Sequence, residues 1–346
     1  MFSLSTLCYM ERDGKYLMLH RTVKKQDVNK DKWIGVGGHF EQDESPEECL
    51  IREVQEETGY TLTSWSYRAI VTFVSGGGVT EYMSLYTADD FTGTPVPCDE
   101  GELEWVDREE VLKLNIWEGD KIFFRLMNER KDFFSLKLVY DGGDRLVHAS
   151  LDGHPMELLD VLDAKGEPTG VVRERGVAHQ DGSAHGTAHV WIVREHAPGQ
   201  YELLVQKRSS GKDSYPGCYD ISAAGHVAAG DGYLESAIRE LREELGITAS
   251  PDELHFAGIR KSYCEDTFYG RPFRDQEFAH VYVYREEVDA SRLVLQKEEV
   301  EEVLWIDFQE CWRRVEAGQW PNCIYLDELE LLKNYLEVTV QTGSKS

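Results

Sequence analysis

Apolar residues recur along the chain in two distinct periods. KYLMLH (15–20), RAIVTFV (68–74), EYMSLYTA (81–88), AHVWIV (188–193), YELLVQ (201–206) and FAHVYVYR (278–285) alternate or run apolar, the pattern of half-buried or buried strands. Helical spacing is rarer. It follows the Gly-rich turns near Gly38 and Gly225 and returns in GDKIFFRLMNER (119–130) and DELELLKNYLEVT (327–339). Strands with a few interspersed helices predict an α+β chain built as an α/β/α sandwich.

The pattern also repeats. WIGVGGHFEQDESPEECLIREVQEETGY (33–60) and DISAAGHVAAGDGYLESAIRELREELGI (220–247) align without a gap, Gly225 lying 187 positions beyond Gly38 and Arg208 the same distance beyond Arg21. Trp105-Val106-Asp107 matches Trp305-Ile306-Asp307 at 200 positions, so the second copy carries 13 further residues between these landmarks. Two copies of one fold follow, with domains expected at 1–155 and 156–346, because DGGDRLVHASLDG still reads as strands and turns of the first copy.

Composition narrows the function. The 346 residues carry 37 Lys+Arg against 64 Asp+Glu, a net charge of −27 that disfavours nucleic acid polymers as partners. The sequence shows neither an apolar run of spanning length nor a secretory leader, and its seven cysteines form no C-x-x-C pair, so a cytoplasmic protein without disulfides or a zinc knuckle is expected.

Candidate chemistry lies in the repeated segment. Ser45-Pro46-Glu47-Glu48 reads as a helix start with a capping box, and Gly59 as its end. On that helix Glu53, Glu56 and Glu57 fall within one sector of about 100°, while Leu50, Ile51 and Val54 turn to the core. Three crowded carboxylates call for a cation, and hard oxygen donors suit Mg²⁺ or Mn²⁺. A solvated acidic face is the plainer reading of such a cluster. Against it stand the preceding Gly-rich turn, Arg52 placed to orient Glu53, and the recurrence of the whole set as Arg239, Glu240, Glu243 and Glu244 after Gly225.

Gly38, Glu44, Arg52, Glu53, Val54, Glu56, Glu57 and Gly59 resemble the Nudix box, with Tyr60 in place of a final aliphatic residue. The second copy resembles it through Gly225, Arg239, Glu240, Leu241, Glu243, Glu244, Gly246 and Ile247, with Asp231 where the family carries Glu. Asp231 is expected to cap the helix. The resemblance implies two Nudix folds in tandem and hydrolysis of a nucleoside diphosphate linked to another moiety. In that scheme Gly38, Glu53, Glu56 and Glu57, and likewise Gly225, Glu240, Glu243 and Glu244, form the metal sites, Arg52 and Arg239 orient the first glutamate, and Glu56 is the favoured general base.

The first copy is similar to the branch that hydrolyses oxidised purine nucleoside triphosphates such as 8-oxo-dGTP. That likeness implies that Trp117 stacks the base and Asp120 reads its edge; Trp117 as core and Asp120 as a helix cap are the alternatives, and Ile34 stands where mammalian members carry a base-contacting Asn. The second copy resembles the isopentenyl-diphosphate-isomerase branch, but Ala224 occupies the region of the catalytic thiol, which points to hydrolysis of an unknown diphosphate. Cys218 is expected to be a small buried hydrophobe. His179, His185 and His226 match positions of a second metal in the isomerases, or else serve as hydrogen-bonded scaffold. Arg21 and Arg208 either meet substrate phosphate or are solvated strand-end charges. An isomerase-like or a non-catalytic nucleotide-sensing second copy is the alternative.

Overall fold

The computed structural model describes residues 2–23 and 27–343, with side chains to residue 338. The chain divides into two compact units, Met1–Leu158 with Val171–Val177, and Leu159–Gly170 with Ala178–Ser346.

In unit 1 the strands are β1 (Phe2–Arg12), β2 (Lys15–His20), β3 (Trp33–Ile34), β4 (Tyr60–Val74), β5 (Thr80–Gly93), β6 (Glu102–Asp107), β7 (Phe134–Tyr140), β8 (Leu146–Leu151) and β9 (His154–Pro155). They form one mixed sheet in the order β3-β2-β1-β5-β4-β7-β8-β9, with β6 also on β2. The helices are α1 (Pro46–Thr58), the single turn α2 (Arg108–Val111) and α3 (Glu118–Glu129). Alternation along β1 builds the sandwich: Cys8 and Met10 pack with Leu50 and Val54 of α1, whereas Leu7 and Tyr9 join Phe123 and Phe124 of α3 on the opposite face. Ile51, expected in the core, is only partly buried. The segment 134–155 extends this sheet through the parallel pairing of β7 with β4 and the antiparallel pairings of β8 and β9.

Two further strands, β10 (Leu158–Leu162) and β11 (Pro168–Glu174), pair with each other, and α4 (Arg175–Asp181) follows. Unit 2 has β12 (His185–Ala197), β13 (Gln200–Arg208), β14 (Tyr219–Asp220), β15 (Ala223–His226), β16 (Leu254–Phe268), β17 (Arg271–Tyr284) and β18 (Val300–Asp307). Its helices are α5 (Tyr233–Leu245), α6 (Phe308–Glu316) and α7 (Leu326–Gly343). The sheet order β14-β13-β12-β17-β16 repeats the β3-β2-β1-β5-β4 core of unit 1, and the parallel pair β12 with β17 corresponds to β1 with β5. Ala188, Val190 and Ile192 face α5, while Trp191 and Val193 face Cys311 of α6 and Leu329 and Leu332 of α7. The additional residues of the second copy lie in the segment 246–253, which carries a 3₁₀ turn (Pro251–Glu253), and in the connection from β17 to β18, with its own turn at Ala290–Arg292.

Candidate active site

The repeated motif places its glutamates with an arginine and a glycine in both units, and in unit 1 with a capping box as well. Helix α1 starts at Ser45, whose side chain accepts from the Glu48 N–H while the Glu48 carboxylate accepts from the Ser45 N–H, as the sequence predicts. Arg52 is the hub. Its Nε and Nη2 bond Glu44 at 2.6 and 2.9 Å, its Nη1 bonds Glu53 at 2.7 Å and Glu56 at 3.3 Å, and its Nη2 also reaches the His39 carbonyl at 3.1 Å. These bonds hold the Glu44 carboxyl down to about 2 and fix Glu53 over the Gly-rich turn. A Cβ on Gly38 would sit 2.5 Å from the Glu53 carboxylate, so only glycine leaves room for it there. Glu57 is buried and accepts from the Gly37 N–H at 3.0 Å, whereas the Glu56 side chain is 60% exposed.

Unit 2 repeats this arrangement with fewer bonds at its arginine. Arg239 bonds Asp231 at 3.1 Å, Glu240 at 3.0 Å and the His226 carbonyl at 2.9 Å, and lies 3.9 Å from Glu243. A Cβ on Gly225 would overlap the Glu240 carboxylate in the same way. Glu244 takes the Ala224 N–H at 3.3 Å and the Gln206 amide at 3.2 Å. Burial first, and then the neighbouring Glu240 charge, push its carboxyl well above the usual carboxylate range.

Asp231 does not cap α5. The N-cap is Gly232, and the Asp231 carboxylate grips Arg239 as Glu44 grips Arg52, with one bond in place of two because its side chain is a methylene shorter.

Beside the glutamates of unit 1 opens a cleft of about 430 Å³, lined among others by Gly38, Arg52, Glu53, Trp117 and Asp120. Trp117 lies at its rim but belongs to the core. It is 6% exposed, with Phe73 and Tyr140 edge-on and Lys32 Nζ 4.4 Å from its ring centre. Asp120 does not cap α3, whose N-cap is Trp117; burial raises its carboxyl to about 7, opposed by Lys32. Arg21 also lines the cleft but is held by Asp27 at 2.8 Å and by Glu100, while Arg208 is held by Asp220 at 2.9 Å and the Ser214 carbonyl at 3.1 Å. Both are therefore part-buried and paired, and not solvated strand ends. Sequence reasoning missed the cleft residues Asn29, Glu81 and Glu100, which come from a turn, the start of β5 and the approach to β6, and carry no motif.

In unit 2, His179, His185 and His226 come together with ligand nitrogens within 4.8 Å of one another. His179 and His185 are buried, on α4 and at the start of β12. Asp275 and Glu277 of β17 form a second such group with His185. That pair was also missed, since carboxylates two apart on a strand leave no signature; these two are the groups of this kind among the described residues. Cys218 is half-buried, its thiol raised by burial despite Arg208, which suits an unreactive side chain.

The sequence matches the NUDIX domain over residues 1–127 and 184–325. The chain belongs to the NUDIX family. It is 42% identical over 158 residues to Nudix hydrolase 3 of Arabidopsis thaliana, covering 44% of this chain and 20% of that protein, so the match spans about a fifth of the relative. It is 30% identical to the oxidized purine nucleoside triphosphate hydrolase of Danio rerio, covering 43% of this chain and 94% of that protein. An isopentenyl-diphosphate Delta-isomerase of Escherichia coli is 28% identical, covering 47% of this chain and 84% of the isomerase. Membership of the family supports hydrolysis of diphosphate-containing substrates, and no helix among the described residues is long and apolar enough to cross a membrane.

Proposed function

We propose that this protein is a Mg²⁺- or Mn²⁺-dependent tandem diphosphohydrolase of the cytoplasm, with domains at 1–155 and 156–346. The observation that carries it is the arginine-held glutamate seated over a glycine in both units, Glu53 on Gly38 and Glu240 on Gly225. The donor set fits the metal: Glu53, Glu56 and Glu57, and Glu240, Glu243 and Glu244, offer hard oxygens beside backbone N–H groups. The bound ion would neutralise the diphosphate and lower the pKa of the attacking water. Arg52 and Arg239 act on geometry by fixing Glu53 and Glu240, and Glu56 takes the proton of that water, a role supported by its exposure, the highest of its set.

For unit 1 the substrate we propose is a purine nucleoside triphosphate, oxidised forms such as 8-oxo-dGTP included; the cleft beside Glu53 and the relative from Danio rerio support this. Unit 2 hydrolyses a different diphosphate. A second reading, isomerisation, is favoured by the cluster His179, His185, His226, Asp275 and Glu277, whose imidazole and carboxylate donors suit a second divalent ion. Against isomerisation stands Ala224, whose side chain can neither give nor take a proton. Incubating the full chain with nucleotide and diphosphate panels, with and without Mg²⁺, tests both. Phosphate release that requires the metal supports hydrolysis. Formation of dimethylallyl diphosphate from isopentenyl diphosphate, lost in Glu244→Gln, would overturn the reading of unit 2.

A further inference from the structure

Asn29 lies in the turn between β2 and β3 and lines the unit 1 cleft with Trp117 and Asp120. Its Oδ1 accepts the Trp117 indole N–H at 2.8 Å. An indole nitrogen only donates, so the oxygen of the amide must face the ring, and the two ends of the amide are thereby told apart. The backbone is pinned as well, the Asn29 N–H donating to Asp27 Oδ1 at 2.9 Å, and Asp27 in turn holds Arg21. What remains of the side chain is an NH₂ group with two donors, and no described residue accepts from it.

Trp117 is poorly placed to do the reading itself. With Phe73 and Tyr140 edge-on, Lys32 over the ring and 6% of its surface exposed, it has little free face to offer a base. We propose that Asn29 is the residue that reads the substrate's base, donating from its amide NH₂ to a ring carbonyl, so that unit 1 selects carbonyl-bearing purines over amino-bearing ones of the same shape. Trp117 is then a positioning residue that acts through Asn29. An adenine-type amino group would bring donor against donor, whereas a hypoxanthine- or guanine-type carbonyl completes the bond. The inference rests on reading unit 1 as a purine nucleotide hydrolase.

The test compares dITP with dATP in the full-length protein. Asn29→Asp keeps an oxygen for the indole N–H and turns the presented donor into an acceptor. The ratio of kcat/KM for dITP to that for dATP should fall by about tenfold to a hundredfold, whatever the common loss from the added charge. Trp117→Phe removes the N–H but keeps an apolar ring, and should lower the same ratio less, by about threefold to tenfold. Calorimetric binding of non-hydrolysable analogues of both nucleotides needs no turnover. If the wild type binds neither, the nucleotide reading of unit 1 fails and the inference with it. If it binds both and Asn29→Asp leaves their ratio unchanged, the assignment of Asn29 alone is overturned.

Discussion

At the scale of single residues, burial separates groups that look alike in the sequence. Glu56 and Glu57 are neighbours in one motif, yet Glu57 is buried on the Gly37 N–H and Glu56 is open to solvent. Replacing either by Gln keeps shape and removes charge, so Mg²⁺-dependent nucleotide turnover by unit 1 should fall at least tenfold to about a hundredfold. Full turnover in both variants would count against the metal site. Asp120 gives a stability test. Its folded pKa, about 7, is raised by burial above the ordinary Asp value of about 3.8, so the folded state holds the proton more tightly. The associated stability is present below about pH 4 and lost as pH rises to about 7, up to about 4 kcal/mol. Asp120→Asn escapes that loss, so its gain in Tm over the wild type should grow from pH 4 to 7 and stay level above; a gain independent of pH would refute the assignment. The glutamates and their arginines were legible because one helix carries them at fixed spacing. Asn29, Glu81, Asp275 and Glu277 were not, since only the folded sheet and turns bring them to their sites.

At the scale of elements, α1 was readable from its cap and spacing and α5 from spacing alone, Gly232 and not Asp231 being its N-cap, but what docks α7 was hidden. His189, left unassigned by sequence reasoning, points from β12 to Glu328 of α7, its Nδ1 3.0 Å from the carboxylate, and Trp191 donates to the same group at 2.9 Å. Burial alone would lower the pKa of His189, but Glu328 outweighs it and raises the value to about 9 from 6.5. A raised folded pKa makes this contribution complete below about pH 6.5 and lost as pH climbs through about 9. Glu328→Gln should cost unit 2 about 3 kcal/mol at pH 6, because it leaves a buried imidazole without its counter-charge, and the difference from wild type should shrink by pH 10. Chemical denaturation at the two pH values measures it, and an equal cost at both would show that the helix docks by packing alone. No periodicity announces such a pair. A histidine on a strand and a glutamate 139 residues later meet only through the tertiary fold.

At the scale of the molecule, the gapless repeat made two folds visible before any coordinates, and the displacement from 187 to 200 positions foretold where the second copy grows, between α5 and β18. What repetition could not reveal is how the copies differ: three added strands, β7 to β9, in unit 1, and the histidine cluster in unit 2. Each unit nevertheless holds its own arginine, its own glycine and its own three glutamates, and each glutamate set is bonded within its own unit. Chemistry supplied locally should fail locally. Glu57→Gln in the full-length protein should therefore lower release of diphosphate from purine nucleoside triphosphates at least tenfold to about a hundredfold while leaving the diphosphate hydrolysis of unit 2 within about twofold of wild type, and Glu244→Gln should do the reverse. The double variant should lose both activities and retain the circular-dichroism spectrum and Tm expected from the single variants. Measuring all three on one substrate panel decides the matter: if either single substitution removes both activities, the units share one catalytic centre and the tandem reading is wrong.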